Sequence, residues 1–136
     1  IQYKRGFNMF KFLVIGLGGG LGAILRYIVS NLDYRFSNGV LPVGTLAVNV
    51  TGSFIIGFLW VFFDRFIFPP NLRLFLFIGV LGGYTTFSTF SIETFNLIRD
   101  GEYNIALANI ILSFALTLIA VFAGFFVSRM LLNIYK

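Results

Sequence analysis

Gly82-Gly83-Tyr84-Thr85-Thr86-Phe87-Ser88-Thr89-Phe90-Ser91 lies inside an apolar run that begins near Leu72 and fades near Ile98. Two adjacent glycines weaken a helix, and the five Ser and Thr side chains compete for its backbone hydrogen bonds. The pattern predicts a break in an otherwise helical span. Irregular backbone at membrane depth persists only where protein buries it or a watery cavity faces it. Broken helices also mark ion and substrate sites. So many small polar groups favour that reading over a plain Ser/Thr packing interface.

The flanking sequence sets the fold class. Three further apolar stretches run from Phe10 to Ser30, Val43 to Phe63 and Tyr103 to Leu132. Each approaches or exceeds the ~20 residues that a bilayer core requires. Hydrophobic residues make up 58% of the chain, charged residues 11%, and the mean hydropathy is +0.92. Soluble domains carry about 25% charged residues. A soluble fold of 136 residues has too much surface for its volume to hide this apolar content. Four segments are too few to close a barrel, and lipid-exposed backbone must satisfy its own hydrogen bonds. The expected fold is therefore an all-α membrane protein with four transmembrane helices, the third of them broken.

The connections are short and polar. The first contains Asn31 to Arg35 and Asn38-Gly39, the second Asp64-Arg65 and Pro69-Pro70, and the third Arg99 to Glu102. All three prolines fall outside the apolar stretches, where they punctuate rather than kink. Met9-Phe10-Lys11-Phe12 has the look of a natural start, so residues 1–8 read as a leader or tag remnant and 9–136 as a single four-helix domain. The first apolar run lacks a clear small-residue cleavage site and carries Arg26, so it reads as a span and not a signal peptide.

Composition also excludes chemistry. With no Cys and no His there are no disulfides, no thiol catalysis, no ordinary zinc site and no histidine base. The net charge of +5 suits anionic lipid headgroups, and basic residues scattered singly along the chain argue against nucleic acid. With four spans, Lys11, Arg65, Arg73, Arg129 and Lys136 share one side, and Arg26, Arg35 and Arg99 the other. That bias sets orientation weakly. Insertion both ways round fits it as well as a single orientation does.

Several polar residues inside the spans stand out. Gly18-Gly19-Gly20-Leu21-Gly22-Ala23 matches a dinucleotide fingerprint on paper, but no strand precedes it and no acidic residue follows at the required distance. Close helix packing in lipid is the better reading. Asn49 is costly in an apolar helix unless it has partners, and it either bonds across a helix pair or lines an ion path. Thr45 lies one turn earlier on the same face. Phe87 and Phe90 share a face beside the predicted break. Asn109, Ser113 and Thr117 recur at every fourth residue of the last span. They form a stripe that serves either helix–helix bonding or a hydrated track. Arg26 either snorkels to the interface or draws anions into a vestibule. Glu93 reads as structural, close to the end of its span.

Taken together, these residues resemble the CrcB or Fluc family of fluoride channels, from about Met9 to the end of the chain. The first span carries Gly19-Gly20-x-Gly22-Ala23-x-x-Arg26-Tyr27. The second carries Gly44-Thr45-Leu46-x-x-Asn49-x-x-Gly52-x-Phe54-x-x-Gly57. The third carries Gly82 through Phe90, then Glu93. The resemblance implies an antiparallel, dual-topology homodimer with two pores in the cell membrane. It implies that Asn49, Phe87 and Phe90 line the fluoride path, with Ser88, Thr89, Ser113 and Thr117 nearby; on the residues themselves Thr45, on the face of Asn49, joins that path and Arg26 stands at the vestibule. It also implies a structural sodium ion (Na+) held by the backbone carbonyls of Gly82 and Thr85. One departure is Asn109, which stands where other members carry Tyr.

The expected function is passive, selective export of fluoride, which enters cells as the neutral acid and is trapped when it ionises. No nucleotide motif or enzyme site accompanies it. A fluoride–proton antiporter is the nearest alternative. A small four-helix proton-coupled multidrug exporter needs a carboxylate deep in its first helix, and none lies between Phe10 and Ser30.

Overall fold

The computed structural model describes residues 8–31 and 40–134. Residues 1–7, most of the first connection including Arg35, and Lys136 lie outside the described residues. The described residues are helical, with no strand among them. Four helical spans are long and apolar enough to cross a membrane. The first is α1 (Met9–Ser30) and the second α2 (Val43–Arg65). The third, Pro70–Arg99, is composite: α3 (Pro70–Arg73), a π-helical stretch (Leu74–Leu81), α4 (Gly82–Tyr84) and α5 (Phe87–Arg99). The fourth is α6 (Tyr103–Ile134). These bounds follow the apolar runs to within a few residues, because the bilayer sets the length and polar residues set the ends.

Local chemistry fixes the helix ends. Asn8 caps α1, its Oδ1 accepting from the Phe10 amide at 3.2 Å. Pro70 opens the third span at a position where its missing N–H costs nothing. The span closes with two paired bonds, Gly101 N–H to Ile98 O at 3.1 Å and Glu102 N–H to Leu97 O at 2.8 Å. Gly101 takes the left-handed φ of 82° which that closure requires. The chain then turns directly into α6.

Two close helix contacts organise the bundle. α1 packs on the first half of the third span. A Cβ on Gly18 would sit 2.6 Å from the Phe75 carbonyl oxygen, and one on Gly83 would sit 2.5 Å from that of Gly19. α2 packs on α6 in the same manner, with Gly57 against the Val121 carbonyl and Gly124 against that of Phe54. The glycine run of α1 is thus a packing surface, as glycine pairs are in lipid. The interior is small and polar: Thr45, Thr86, Thr94, Asn109, Ser113 and Ser128 are buried beside Val48, Leu81 and Phe90. Large apolar side chains face outward along every span. That distribution inverts the soluble pattern and suits a lipid surround.

Candidate functional site

The break falls at Thr85 and Thr86, both in extended backbone, with φ/ψ of −78°/153° and −150°/122°. Gly82 and Gly83 stay helical. The break therefore lies just after the glycine pair, and side chains create it. Thr86 caps α5: its Oγ1 accepts from the Thr89 amide at 3.2 Å and lies 3.0 Å from Thr89 Oγ1 and 3.2 Å from Ser88 Oγ. Asn49 of α2 holds the same peptide from the other side. Its Nδ2 donates to Thr86 O at 3.0 Å, and its Oδ1 accepts from Thr86 N at 2.9 Å. Tyr84 and Thr51 share a hydroxyl bond of 2.8 Å, which pins the preceding residue to α2. Gly52 leaves room for the approach, since a Cβ there would collide with the Thr85 methyl.

These bonds alter the carbonyls as well. In a continuous α-helix the amides of Thr86 and Thr89 would serve the carbonyls of Gly82 and Thr85. Here both amides are diverted, one to Asn49 Oδ1 and the other to Thr86 Oγ1. Gly82 and Thr85 therefore lose their α-helical donors. Neutral oxygens of this kind are the ligands hard cations prefer. No cluster of His, Cys, Asp or Glu able to hold a metal occurs among the described residues.

A cavity of about 370 Å³ opens beside the break. Asn49, Ser53, Thr85, Thr86, Ser113 and Thr117 supply its polar lining, Phe87, Phe90 and Phe114 an aromatic wall, and Phe77 a further ring. No lining residue carries a formal charge. The three rings of that wall form a cluster. Phe87 and Phe90 have centroids 5.4 Å apart, and Phe114 meets Phe90 edge-on at 6.0 Å and 89° and Phe87 at 6.5 Å. Phe90 is 7% exposed, Phe87 69%.

The predicted site residues separate into three groups. Asn49, Phe87, Phe90, Ser113, Thr117, Gly82 and Thr85 all reach the cavity. Ser88 and Thr89 sit at the helix cap instead, engaged with Thr86. Thr45 is buried and donates to Glu93 Oε1 at 2.7 Å, and it does not line the cavity. The third span continues well past Glu93 to Arg99, so Glu93 lies further from the end than the sequence suggested. Arg26 lies near the end of α1, half-buried and away from the cavity. The α6 stripe divides between its two readings. Asn109 is buried and donates to Thr94 Oγ1 at 3.0 Å, tying α6 to α5, while Ser113 and Thr117 face the cavity. Phe114 and Ser53 line the cavity without having been singled out in the sequence. For Phe114 the only signal was its place next to Ser113, in a chain with 19 phenylalanines.

Comparison with known proteins places the chain in a family. The family model described as "CrcB-like protein, Camphor Resistance (CrcB)" matches residues 13–125. A protein of Sulfurihydrogenibium sp. named "Fluoride-specific ion channel FluC" is 45% identical over 124 residues, 90% of this chain and 100% of the relative. The protein of the same name from Parabacteroides distasonis is 43% identical over 94% of this chain and 100% of its own length. That from Coxiella burnetii is 48% identical over 88% of this chain and 98% of its own. With matches of that extent, the chain belongs to the CrcB-like protein family.

Proposed function

We propose that this protein is a fluoride-selective channel of the cell membrane that lets the anion leave passively. The relatives carry that name. The observation that carries the reading is the cavity itself, which is lined by neutral donors and aromatic rings and by no charge. A small anion must exchange its water for donors to enter. Conduction requires that those donors hold it weakly enough for exit. Asn49 gives one N–H to Thr86 and keeps a second. Ser113 donates only at the 3.5 Å limit, to Asn109 Oδ1, so its hydroxyl is easily turned to an anion. Thr117 donates to the Ser113 carbonyl at 2.6 Å and would have to exchange that bond. Phe87, Phe90 and Phe114 add positive ring edges that solvate an anion while excluding bulk water.

The assembly expected is an antiparallel homodimer. Phe87 and Gly82 are exposed in the single chain, so one copy walls only part of the path. A second copy related by a two-fold axis would complete it twice. The Gly82 and Thr85 carbonyls fit a sodium ion in their chemistry. One chain offers two of them, and a second copy would double the set. An ion held there would offset the carbonyl dipoles between the two paths.

Fluoride efflux from liposomes with and without a proton ionophore tests the transport reading. A channel gives flux that follows the electrical driving force alone, whereas strict dependence on a proton gradient would establish the antiporter. Topology is tested separately by a single Cys in place of Glu102, in a chain that otherwise has none. Labelling from both sides of sealed cells supports dual insertion, and one-sided labelling refutes it. Replacing sodium by a large organic cation is expected to abolish flux. Unchanged flux and dimer stability would remove the ion from the account.

A further inference from the structure

A second cavity, of about 440 Å³, lies between α2 and α6. It shares only Ile56 with the first. Its walls are Ile56, Gly57 and Trp60 from α2, and Val121, Phe122, Phe125 and Phe126 from α6. None of these side chains has a hydrogen-bonding group except the indole N–H of Trp60. Trp60, Phe122 and Phe126 are exposed, so the groove opens on the outer face of the bundle.

Two arginines flank it. The Arg73 guanidinium sits 5.2 Å from the Trp60 ring centroid, and the Arg129 guanidinium 5.7 Å from that of Phe125. Phe77 supports the first pair, 5.8 Å from Arg73 and edge-on to Trp60 at 5.9 Å. Neither arginine forms an ion pair with a described residue, and aromatic faces hold them there. With four alternating spans, the start of the third and the end of the fourth lie on the same side of the membrane. Both cations therefore stand at one interfacial end of an apolar groove that runs into the hydrocarbon layer.

We infer that this groove binds an anionic glycerophospholipid, with an acyl chain along Gly57, Val121 and Phe122 and the phosphate between Arg73 and Arg129. Charge complementarity selects this occupant over a second copy of the chain. A protein helix laid in the groove would leave two guanidinium groups facing apolar surface, whereas a lipid phosphate neutralises both through charge-assisted bonds. Neither guanidinium donates a hydrogen bond to a described residue, so their N–H donors serve that role while the rings of Trp60 and Phe125 hold the cations.

Trp60 is the only tryptophan of the chain, so its fluorescence reports on the groove directly. The full-length protein would be reconstituted in vesicles with a minor fraction of either phosphatidylglycerol or phosphatidylcholine brominated on the acyl chain. The expected result is quenching by phosphatidylglycerol at roughly tenfold lower lipid fraction, the scale that two basic residues near an anionic lipid supply. The Arg73→Gln/Arg129→Gln variant should lose that preference and keep its fluoride flux. Equal quenching by both lipids in the parent protein would mean an ordinary annular contact and overturn the site. Absence of quenching by either would mean that protein, a second copy included, covers the groove, and would overturn it too.

Discussion

Asn49 and Thr86 exchange two hydrogen bonds, the side-chain amide of one meeting the backbone C=O and N–H of the other at 3.0 and 2.9 Å. That pairing gives the Thr86 N–H the acceptor it loses where the third span leaves helical geometry, and adds a second donor to the Thr86 carbonyl at the N-cap. Asn49→Leu removes both partners at once and leaves the buried Thr86 N–H without an acceptor, at a cost of about 1–3 kcal/mol, while the Thr86 carbonyl, at the N-cap, keeps only its helix donor. We expect loss of fluoride flux together with a lower melting temperature in detergent. Asn49→Asp keeps the acceptor, loses the donor and sets a carboxylate at the anion path, so it should retain more stability than Leu and still fail to conduct. A Leu variant that melts like the parent would show that the clamp is not holding the break.

Thr86 acts through its hydroxyl. It caps α5 and gathers Ser88 and Thr89 around it. Thr86→Ala should cost about 1 kcal/mol, the usual worth of a cap, and reduce flux by loosening the start of α5, where Phe87 and Phe90 sit. Thr86→Ser keeps the oxygen and should restore most of both. If Ser proved as damaging as Ala, the methyl group would be the important feature and the capping argument would fail.

The glycines of α1 separate by what a side chain would meet. A Cβ at Gly22 collides with the Val80 carbonyl, whereas one at Gly20 meets nothing within 4 Å. Gly22→Ala should destabilise by about 1–3 kcal/mol through overpacking against backbone. Gly20→Ala should be neutral or slightly stabilising, since Ala is the better helix former by up to ~1 kcal/mol. Melting of the two variants side by side decides it. Equal melting would mean that α1 shifts freely on the third span.

The four spans were legible because lipid thickness and chain hydropathy fix them without reference to tertiary contacts. The presence of the break was legible too, from Gly82 to Ser91. Its position was not. The glycines stay helical, and Gly83 packs against Gly19, while the break is made by an amide on a different helix. That pairing between Asn49 and Thr86 leaves no periodic trace in the sequence. The α6 stripe shows the same limit. Spacing placed Asn109, Ser113 and Thr117 on one face, but only the position of Thr94 on α5 assigns Asn109 to helix bonding and leaves the other two to the cavity. Thr45 shares a face with Asn49, yet its hydroxyl is taken by Glu93.

Phe87 and Phe90 give the sharpest test, because one chain treats them so differently. Phe90 is buried against Phe114, so Phe90→Ile trades a packed ring for a smaller side chain and should lower stability by about 1 kcal/mol or more while impairing flux. Phe87 is 69% exposed, and its ring meets those of Phe90 and Phe114. If it merely faced lipid, Phe87→Ile would be silent, since lipid accepts either side chain equally well. If its ring edge lines the path, the same change removes a positive edge that isoleucine cannot supply. We expect Phe87→Ile to melt like the parent, elute with it on gel filtration and carry little fluoride. A stability loss confined to Phe90→Ile, with a flux loss in both, would separate the ring's part in conduction from its part in packing. Wild-type efflux from Phe87→Ile would remove that residue from the path and leave Phe90 and Phe114 as its aromatic wall.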